Sequence, residues 1–501
     1  MIDLFAGPGG LGEGFSAFSP AASGPAFRIG LSIEKDPTAR QTLRLRSFFR
    51  QFPQGDVPDA YYRFLRKEVQ EQDVYRAFPR EAAKADREAW RAELGAEEPA
   101  EIDRRVQKVI TGSDAWVLIG GPPCQAYSLV GRARRAGDEN FERDHRHYLY
   151  REYLRILARH QPDVFVMENV KGILSATLDG KHTFQRILSD LQRPEDPDQP
   201  SRKRVSYRLY AISCEQVEDG SQPEPSDFLV RCENYGVPQA RHRVIVLGVR
   251  EGSGRAPGVL KRARSVPTIA ETIGDLPPLR SQLSGTSNDA TSWLAAIARG
   301  AEIIKSVRPD KLLHDVLSEA LERARGVTDL GAEFVKSSNR PRYRPKWFYD
   351  SRIGGACNHS GRRHLAADVQ RYFFAATFAA AGNGNARSPR LADFPPQLLP
   401  AHANVLQGIE EGKFSDRFRV QVKDHPSTTI TSHIAKDGHY YIHYDPSQAR
   451  SLTVREAARL QTFPDNYFFC GPRTSQYQQV GNAVPPFLAH QIAAIVYSLL
   501  A

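Results

Sequence analysis

The apolar run Ala115-Trp116-Val117-Leu118-Ile119, followed by Gly120-Gly121-Pro122-Pro123-Cys124-Gln125-Ala126-Tyr127-Ser128, constrains this chain more than any other stretch. An apolar run with no polar alternation describes a strand buried on both faces, and such strands belong to parallel sheets covered by helices. Two glycines and two prolines then end the strand in a stiff turn. In an open α/β sheet that turn lies at the carboxyl end of the strands, where ligands bind. A cysteine can simply fill a turn. A rigid turn with no packing work at its tip points instead to a nucleophile, Cys124.

The chain begins with the same device. Ile2-Asp3-Leu4-Phe5 is a short strand leading into Ala6-Gly7-Pro8-Gly9-Gly10-Leu11-Gly12, where Gly7, Gly9 and Gly12 satisfy G-x-G-x-x-G. Glu34 ends a second strand, Leu31-Ser32-Ile33, 22 residues after Gly12, where a carboxylate can bind both hydroxyls of a ribose. A nicotinamide dehydrogenase and an adenosyl-cofactor methyltransferase are equally allowed at this point. Gln54-Gly55-Asp56-Val57 reads as the end of a third strand, its acid able to accept from an adenine amino group. Residues 58–110 read as a charged helical insertion, with one helix from Glu81 to Leu94.

Val164-Phe165-Val166-Met167 is another buried strand, and it ends in Glu168-Asn169-Val170. A carboxylate at a strand end beside the Cys124 turn is a candidate acid. Arg241 and Arg243 alternate at the start of the strand Val244 to Gly248, so they are expected to point the same way, as a clamp on an acceptor oxygen requires. A salt-bridge pair would explain the same two residues.

The net charge of +10, carried mostly by arginine, suits a polyanionic partner. Gly131 to Arg135, continuing through His147, reads as a loop able to close over a phosphate backbone. From Val266 to Arg450 apolar periodicity weakens, and a separate, smaller, irregular domain is expected. Its Arg340, Arg342 and Arg344 interleave with aromatics as nucleic-acid binders do, and Thr428 to His443 reads as a hairpin. Leu452 to Gln461 is a helix with Thr453 and Glu456 as its capping box, and Phe487 to Leu500 is a final apolar helix. Five scattered cysteines suggest reduced thiols and no metal site, and no membrane-spanning run or secretory segment is apparent, which places the chain in the cytoplasm.

Taken together, these stretches resemble the DNA (cytosine-5)-methyltransferase family. The matching residues are Asp3 through Gly10, Gly121 through Gln125, Glu168-Asn169-Val170, Gln239 through Arg243, Arg455 through Gln461, and Gly481-Asn482, in the family's order. The resemblance implies a doubly wound, Rossmann-like α/β catalytic domain over 1–265, a target-recognition domain over 266–450, and a return segment, 451–501, whose last helix completes the first domain. It implies methyl transfer from S-adenosylmethionine to carbon 5 of a flipped-out cytosine in double-stranded DNA by a monomer, with Cys124, Glu168, Arg241 and Arg243 catalytic. By the same resemblance Phe5, Ala6, Gly7, Gly9, Gly10 and Leu11 cradle the cofactor. Glu34 holds its ribose and Asp56 its adenine, Lys35 and Val57 beside them also bind the cofactor, and Pro123, Asn482, Ala483 and Val484 complete the pocket. A tRNA cytosine methyltransferase of the same architecture is the nearer alternative, and a nicotinamide oxidoreductase the more distant one.

Overall fold

In the computed structural model the apolar runs pair into one eight-stranded sheet. The residues described are 1–20, 24–123, 146–178, 181–196, 205–215, 223–252, 255–285, 289–382, 384–401, 405 and 416–501. The strands are β1 (Ile2–Leu4), β2 (Leu31–Glu34), β3 (Ala89–Arg91), β4 (Val117–Gly120), β5 (Val164–Val170), β6 (Tyr207–Tyr210), β7 (Leu229–Arg231) and β8 (His242–Arg250). Their order is β3-β2-β1-β4-β5-β8-β6, with β7 also paired to β8. β1 to β5 run parallel, and β8 is antiparallel to β5. The order reverses between β1 and β4, which makes the sheet doubly wound and opens a crevice at the carboxyl ends of those two strands.

Successive side chains go to opposite faces. Ile2, Leu4, Leu118, Phe165 and Met167 pack on α4 (Arg146–His160) and α3 (Pro99–Ile110). Val117, Ile119, Val164 and Val166 pack with α1 (Gly10–Ser16) and α10 (Pro486–Leu500), the last helix of the chain. Burying each such side chain contributes about 1.5–3 kcal/mol, and a one-residue slip would reverse every assignment, so the register is fixed. The stretch Arg473–Leu500 is long and apolar enough to cross a bilayer, but 67% of its apolar window is buried inside the protein.

The third strand is not where the sequence placed it. Residues 51–58 form turns, and Asp56 is exposed. Val57 is buried beside Tyr61, Phe64 and Phe468, away from the crevice. The expected helix from Glu81 ends instead at Glu88, and Ala89-Trp90-Arg91 takes the sheet edge beside β2. A strand only three residues long, flanked by charge, carries too little alternation to be read from sequence.

The segment 266–450 is helical where irregularity was expected. Helices α5 (Ala290–Val307), α6 (Lys311–Ala324) and α7 (Ala366–Ala380) build a cluster around Trp293, Leu317 and Phe373. Asp289 and Asp310 cap the first two through Ser292 and Leu313 backbone N–H groups. The hairpin does not form. Ser427–Thr428 pairs in parallel with Gln239–Ala240, and Ser432–Ala435 is a 3₁₀ turn. Packing also crosses the expected boundary at 450: Ile430, Ile434 and Tyr441 share a cluster with α8 (Val454–Leu460) and with α9 (Arg473–Asn482). Arg340 lies over the Tyr349 ring and Arg344 over the Phe487 ring, while Arg342 is exposed.

A buried polar group holds α8. Arg450 meets both oxygens of Glu456 at 2.7 and 2.8 Å, and Thr453 and Glu456 form the expected capping box. His443 Nε2 is 3.5 Å from Glu456. His359 Nε2–H donates to the Pro277 carbonyl at 2.8 Å, leaving Nδ1 to accept from the Thr453 hydroxyl at 3.0 Å, an arrangement that suits the neutral ring. Burial lowers His359 and His443 from 6.5 to about 4 and His364 to about 3. Burial opposes ionisation of Glu456, but Arg450 outweighs it and holds the carboxylate well below its usual range. Lowered histidines stabilise the fold fully above pH 6.5 and lose that contribution as pH falls toward 4; Glu456 adds a loss in the same direction below about 4.5. We therefore expect the thermal midpoint to fall steeply between pH 6.5 and 4, each histidine costing on the order of 3 kcal/mol once protonated. A midpoint that is flat across this range would show that the rings are already charged in the folded protein.

Candidate active site

The crevice holds a cavity of about 570 Å³. Phe5, Ala6, Gly7, Gly10 and Leu11 line one side of it, and Gly9 does not: it caps α1 in a left-handed conformation, and a Cβ there would strike Leu43. Phe5 itself has φ +54°, a strained value for a non-glycine residue, which re-aims the chain out of β1. A Cβ on Gly10 would overlap the Val484 carbonyl, so the start of α1 and the turn after α9 touch backbone to backbone. The Tyr467 hydroxyl donates to the Pro8 carbonyl and fixes the same turn from behind.

Glu34 Oε2 accepts from Gly7 N–H and Oε1 from Asp36 N–H, both at 2.8 Å. Burial raises its pKa, and these N–H groups oppose the rise. Each oxygen keeps a lone pair for a hydroxyl. Lys35 lines the cavity and pairs with Glu93 at 3.1 Å. Glu93, just past β3, stands where Asp56 was expected; neither Asp56 nor Val57 reaches the cavity. The signal for it was the alternation of Ala92 and Leu94, both buried, around an acid. Pro123, Asn482, Ala483 and Val484 line the far side, joined by Ser432, Ser475, Gln478 and Gln479. Ser432 carried no sequence signal; Gln479 stands two residues before the Gly481-Asn482 turn and could have been suspected. Asp3 forms part of the floor, and burial pushes its carboxyl up to about 8, so it is mostly neutral at pH 7.

At the rim, β5 and β8 bring the candidate acid and one arginine together. Ile245 lies opposite Glu168 in the ladder, and Arg243 Nε is 2.7 Å from Glu168 Oε1. Asn169 Nδ2 donates to the Pro122 carbonyl at 3.1 Å, tying the strand end to the double-proline turn. A Cβ on Gly121 would come within 2.8 Å of Glu168 Oε2, so the glycine lets the turn approach the acid. Cys124 and the arginine-rich residues after it, up to 145, lie outside the described residues.

The expected arginine clamp is divided. Arg241 sits at the break between Gln239–Ala240 and β8, where its N–H turns back to the Gln239 carbonyl at 2.8 Å, so alternation with Arg243 is lost. Its buried guanidinium makes no ion pair with Glu168 and is spent on backbone carbonyls. Nη1 donates to Ile430 O at 2.7 Å, and Nη2 to Gly481 O at 3.1 Å and Ala483 O at 2.8 Å. Of the two arginines, Arg243 is the one that pairs with the acid.

With this geometry in place, comparison with known proteins gives consistent matches. The family model for C-5 cytosine-specific DNA methylase matches residues 80–194 and 226–497. The type II methyltransferase M.Bpa9945I of Bacillus paralicheniformis is 32% identical, over 100% of this chain and 99% of its own length. The type II methyltransferase M.DdeI of Desulfomicrobium norvegicum is 26% identical, over 98% of this chain and 87% of its own. The DNA (cytosine-5-)-methyltransferase M.ApeKI of Aeropyrum pernix is 27% identical, over 78% and 83%.

Proposed function

We propose, given that the chain belongs to the C-5 cytosine-specific DNA methylase family, that Cys124 is its nucleophile, that Glu168 and Arg243 hold the target base, and that the crevice takes S-adenosylmethionine. The protein is an enzyme that methylates cytosine in DNA at carbon 5. The family match disfavours the tRNA and nicotinamide alternatives.

The observation that carries the residue assignment is the Arg243–Glu168 contact at the rim of the cavity, next to the turn that leads into Cys124. Carbon 5 of cytosine is a poor nucleophile until the ring is saturated at carbon 6. The Cys124 thiolate adds there, forming a sulfur–carbon bond and pushing electron density toward nitrogen 3 and carbon 5. Glu168 delivers a proton to nitrogen 3, and Arg243 donates to the carbonyl oxygen at carbon 2. S-adenosylmethionine, when bound, supplies the electrophilic methyl group for carbon 5. The carbon 5 proton then leaves to solvent, nitrogen 3 returns its proton to Glu168 and the Cys124 thiolate is eliminated, restoring the neutral ring and the free enzyme groups.

The cavity fits this cofactor class on its own chemistry: a carboxylate with two free lone pairs for ribose, an acid at the next strand end for an adenine amino group, and a glycine turn that a side chain would fill. The target carbon is out of reach inside a duplex, so the base is flipped into the site. The monomer acts on double-stranded DNA in the cytoplasm, as the modification partner of a restriction system, a role the names of its relatives support. Residues 266–450 supply recognition. Bisulfite sequencing of DNA from cells expressing the protein tests the reaction and returns its target; absence of protected cytosines would overturn the reading.

The cofactor assignment makes a separate expectation. Glu34→Ala weakens S-adenosylmethionine binding by about 1–3 kcal/mol, because buried hydroxyls lose a charged acceptor. Glu93→Ala weakens it as well, while Asp56→Ala leaves it unchanged. Calorimetry on the three variants decides the matter. Equal affinity in Glu34→Ala would reduce that residue to a support for the glycine turn.

A further inference from the structure

Arg241 is fully buried, and no carboxylate pairs with it among the described residues. Its Nε has no hydrogen-bond partner among the described residues. Such a guanidinium is costly to bury, so what its other nitrogens do deserves an explanation. Two of the three carbonyls it holds, those of Gly481 and Ala483, close the carboxyl end of α9, where a cation also meets the helix dipole. Gln461 Nε2 supports the same turn through Val480 O and Ala483 O at 2.8 and 3.1 Å. That turn carries Asn482, Ala483 and Val484 of the cavity wall.

The third carbonyl belongs to Ile430, two residues before Ser432, which lines the cavity from the opposite part of the chain. A Cβ on Gly481 would overlap the Thr431 and Ser432 backbone, so the two walls are in direct contact. Thr429 Oγ1 donates to Ala240 O at 2.6 Å, and Ile430 N–H to Gln239 Oε1 at 2.8 Å, which binds the same segment to the base of β8.

We propose that Arg241 is a positioning residue for the cofactor wall: one guanidinium clamps Ile430, Gly481 and Ala483 together, so that segment 427–432, from the DNA-recognising half of the chain, shapes the cofactor cavity. It contacts neither base nor phosphate. This rests on the reading that the cavity takes S-adenosylmethionine. It also assigns the two arginines of the sequence pair to different partners, Arg243 to the base and Arg241 to the cofactor.

The test uses the full chain and S-adenosylhomocysteine as probe, titrated by calorimetry, with binding to a non-target duplex measured in parallel at fixed salt. Arg241→Met, which keeps the stem but removes the donors, should weaken the probe at least about tenfold, and Arg241→Lys by about threefold, since a single ammonium satisfies fewer carbonyls. Duplex affinity should stay within twofold for both, because a buried residue makes no phosphate contact. Thr429→Val, which loosens segment 427–432 without touching Arg241, should weaken the probe about threefold, and it carries the test if Arg241→Met does not fold. Wild-type affinity for the probe in a folded Arg241→Met, or in Thr429→Val, would overturn the inference. So would parallel loss of probe and duplex, the mark of general damage. A wild-type protein that does not bind the probe would sink the cofactor reading itself.

Discussion

Cys124→Ala is expected to lose methyl transfer by a factor on the order of 10⁴ or more, because no other step can raise electron density at carbon 5 once the thiolate is gone. Affinity for S-adenosylmethionine should change little, since the contacts proposed for the cofactor are Glu34, the glycine turn and residues 482–484, all described residues that line the cavity. Wild-type protein mixed with DNA containing 5-fluorocytosine at the target should give a covalent adduct, because fluorine cannot leave as a proton does. The adduct should be absent from Cys124→Ala. Turnover by the alanine variant at even a hundredth of the wild-type rate would assign the nucleophile elsewhere.

The second large effect is expected at Glu168. In Glu168→Gln the side chain keeps its shape and can still hydrogen-bond nitrogen 3, but it has no proton to give. kcat should fall by about 10²–10⁴, the usual contribution of a positioned general acid. KM for S-adenosylmethionine should hold. The substitution also leaves Arg243, which is largely buried, facing an amide in place of a carboxylate at 2.7 Å, so some stability is lost too. A thermal melt separates the two effects. If kcat stays within tenfold of wild type while the protein remains folded, protonation of the base comes from solvent.

How much of this was legible in the sequence depended on how long each signal was. The long buried runs at β4, β5 and β8 and the capped helix at Thr453 lie where hydrophobic pattern and capping chemistry put them, because those signals are local and repeated. β3 failed for the opposite reason: at three residues it is defined by its partner β2 and hardly at all by itself, and the acid assignment went wrong with it. The arginine pair failed more subtly. Alternation holds only inside a continuous strand, and the chain breaks between Ala240 and His242. Ser432 had no local signal, since it reaches the cavity only through contacts that span half the chain. In 266–450 the abundance of Arg, Pro and Ser hid three amphipathic helices whose apolar faces become visible only when they are packed on one another.

Residues 52–88 are fastened to segment 266–450. Tyr62 donates to Asp350 at 2.8 Å, Arg66 to the Arg352 carbonyl at 3.0 Å, Arg352 to the Gly55 carbonyl at 3.1 Å, and Cys357 packs its thiol on Leu65 O at 3.7 Å. The paired strands Gly331–Lys336 and Gly355–Ser360 flank this contact. Residues 266–450 are therefore not a self-contained unit. A cut at those ends would strip Tyr61, Phe64 and Phe468 of Ile353 and Cys357, the partners with which they form a core. The self-contained piece is smaller: the helical cluster around Trp293 and Phe373, built on either side of the two strands, which pack instead with residues 52–88.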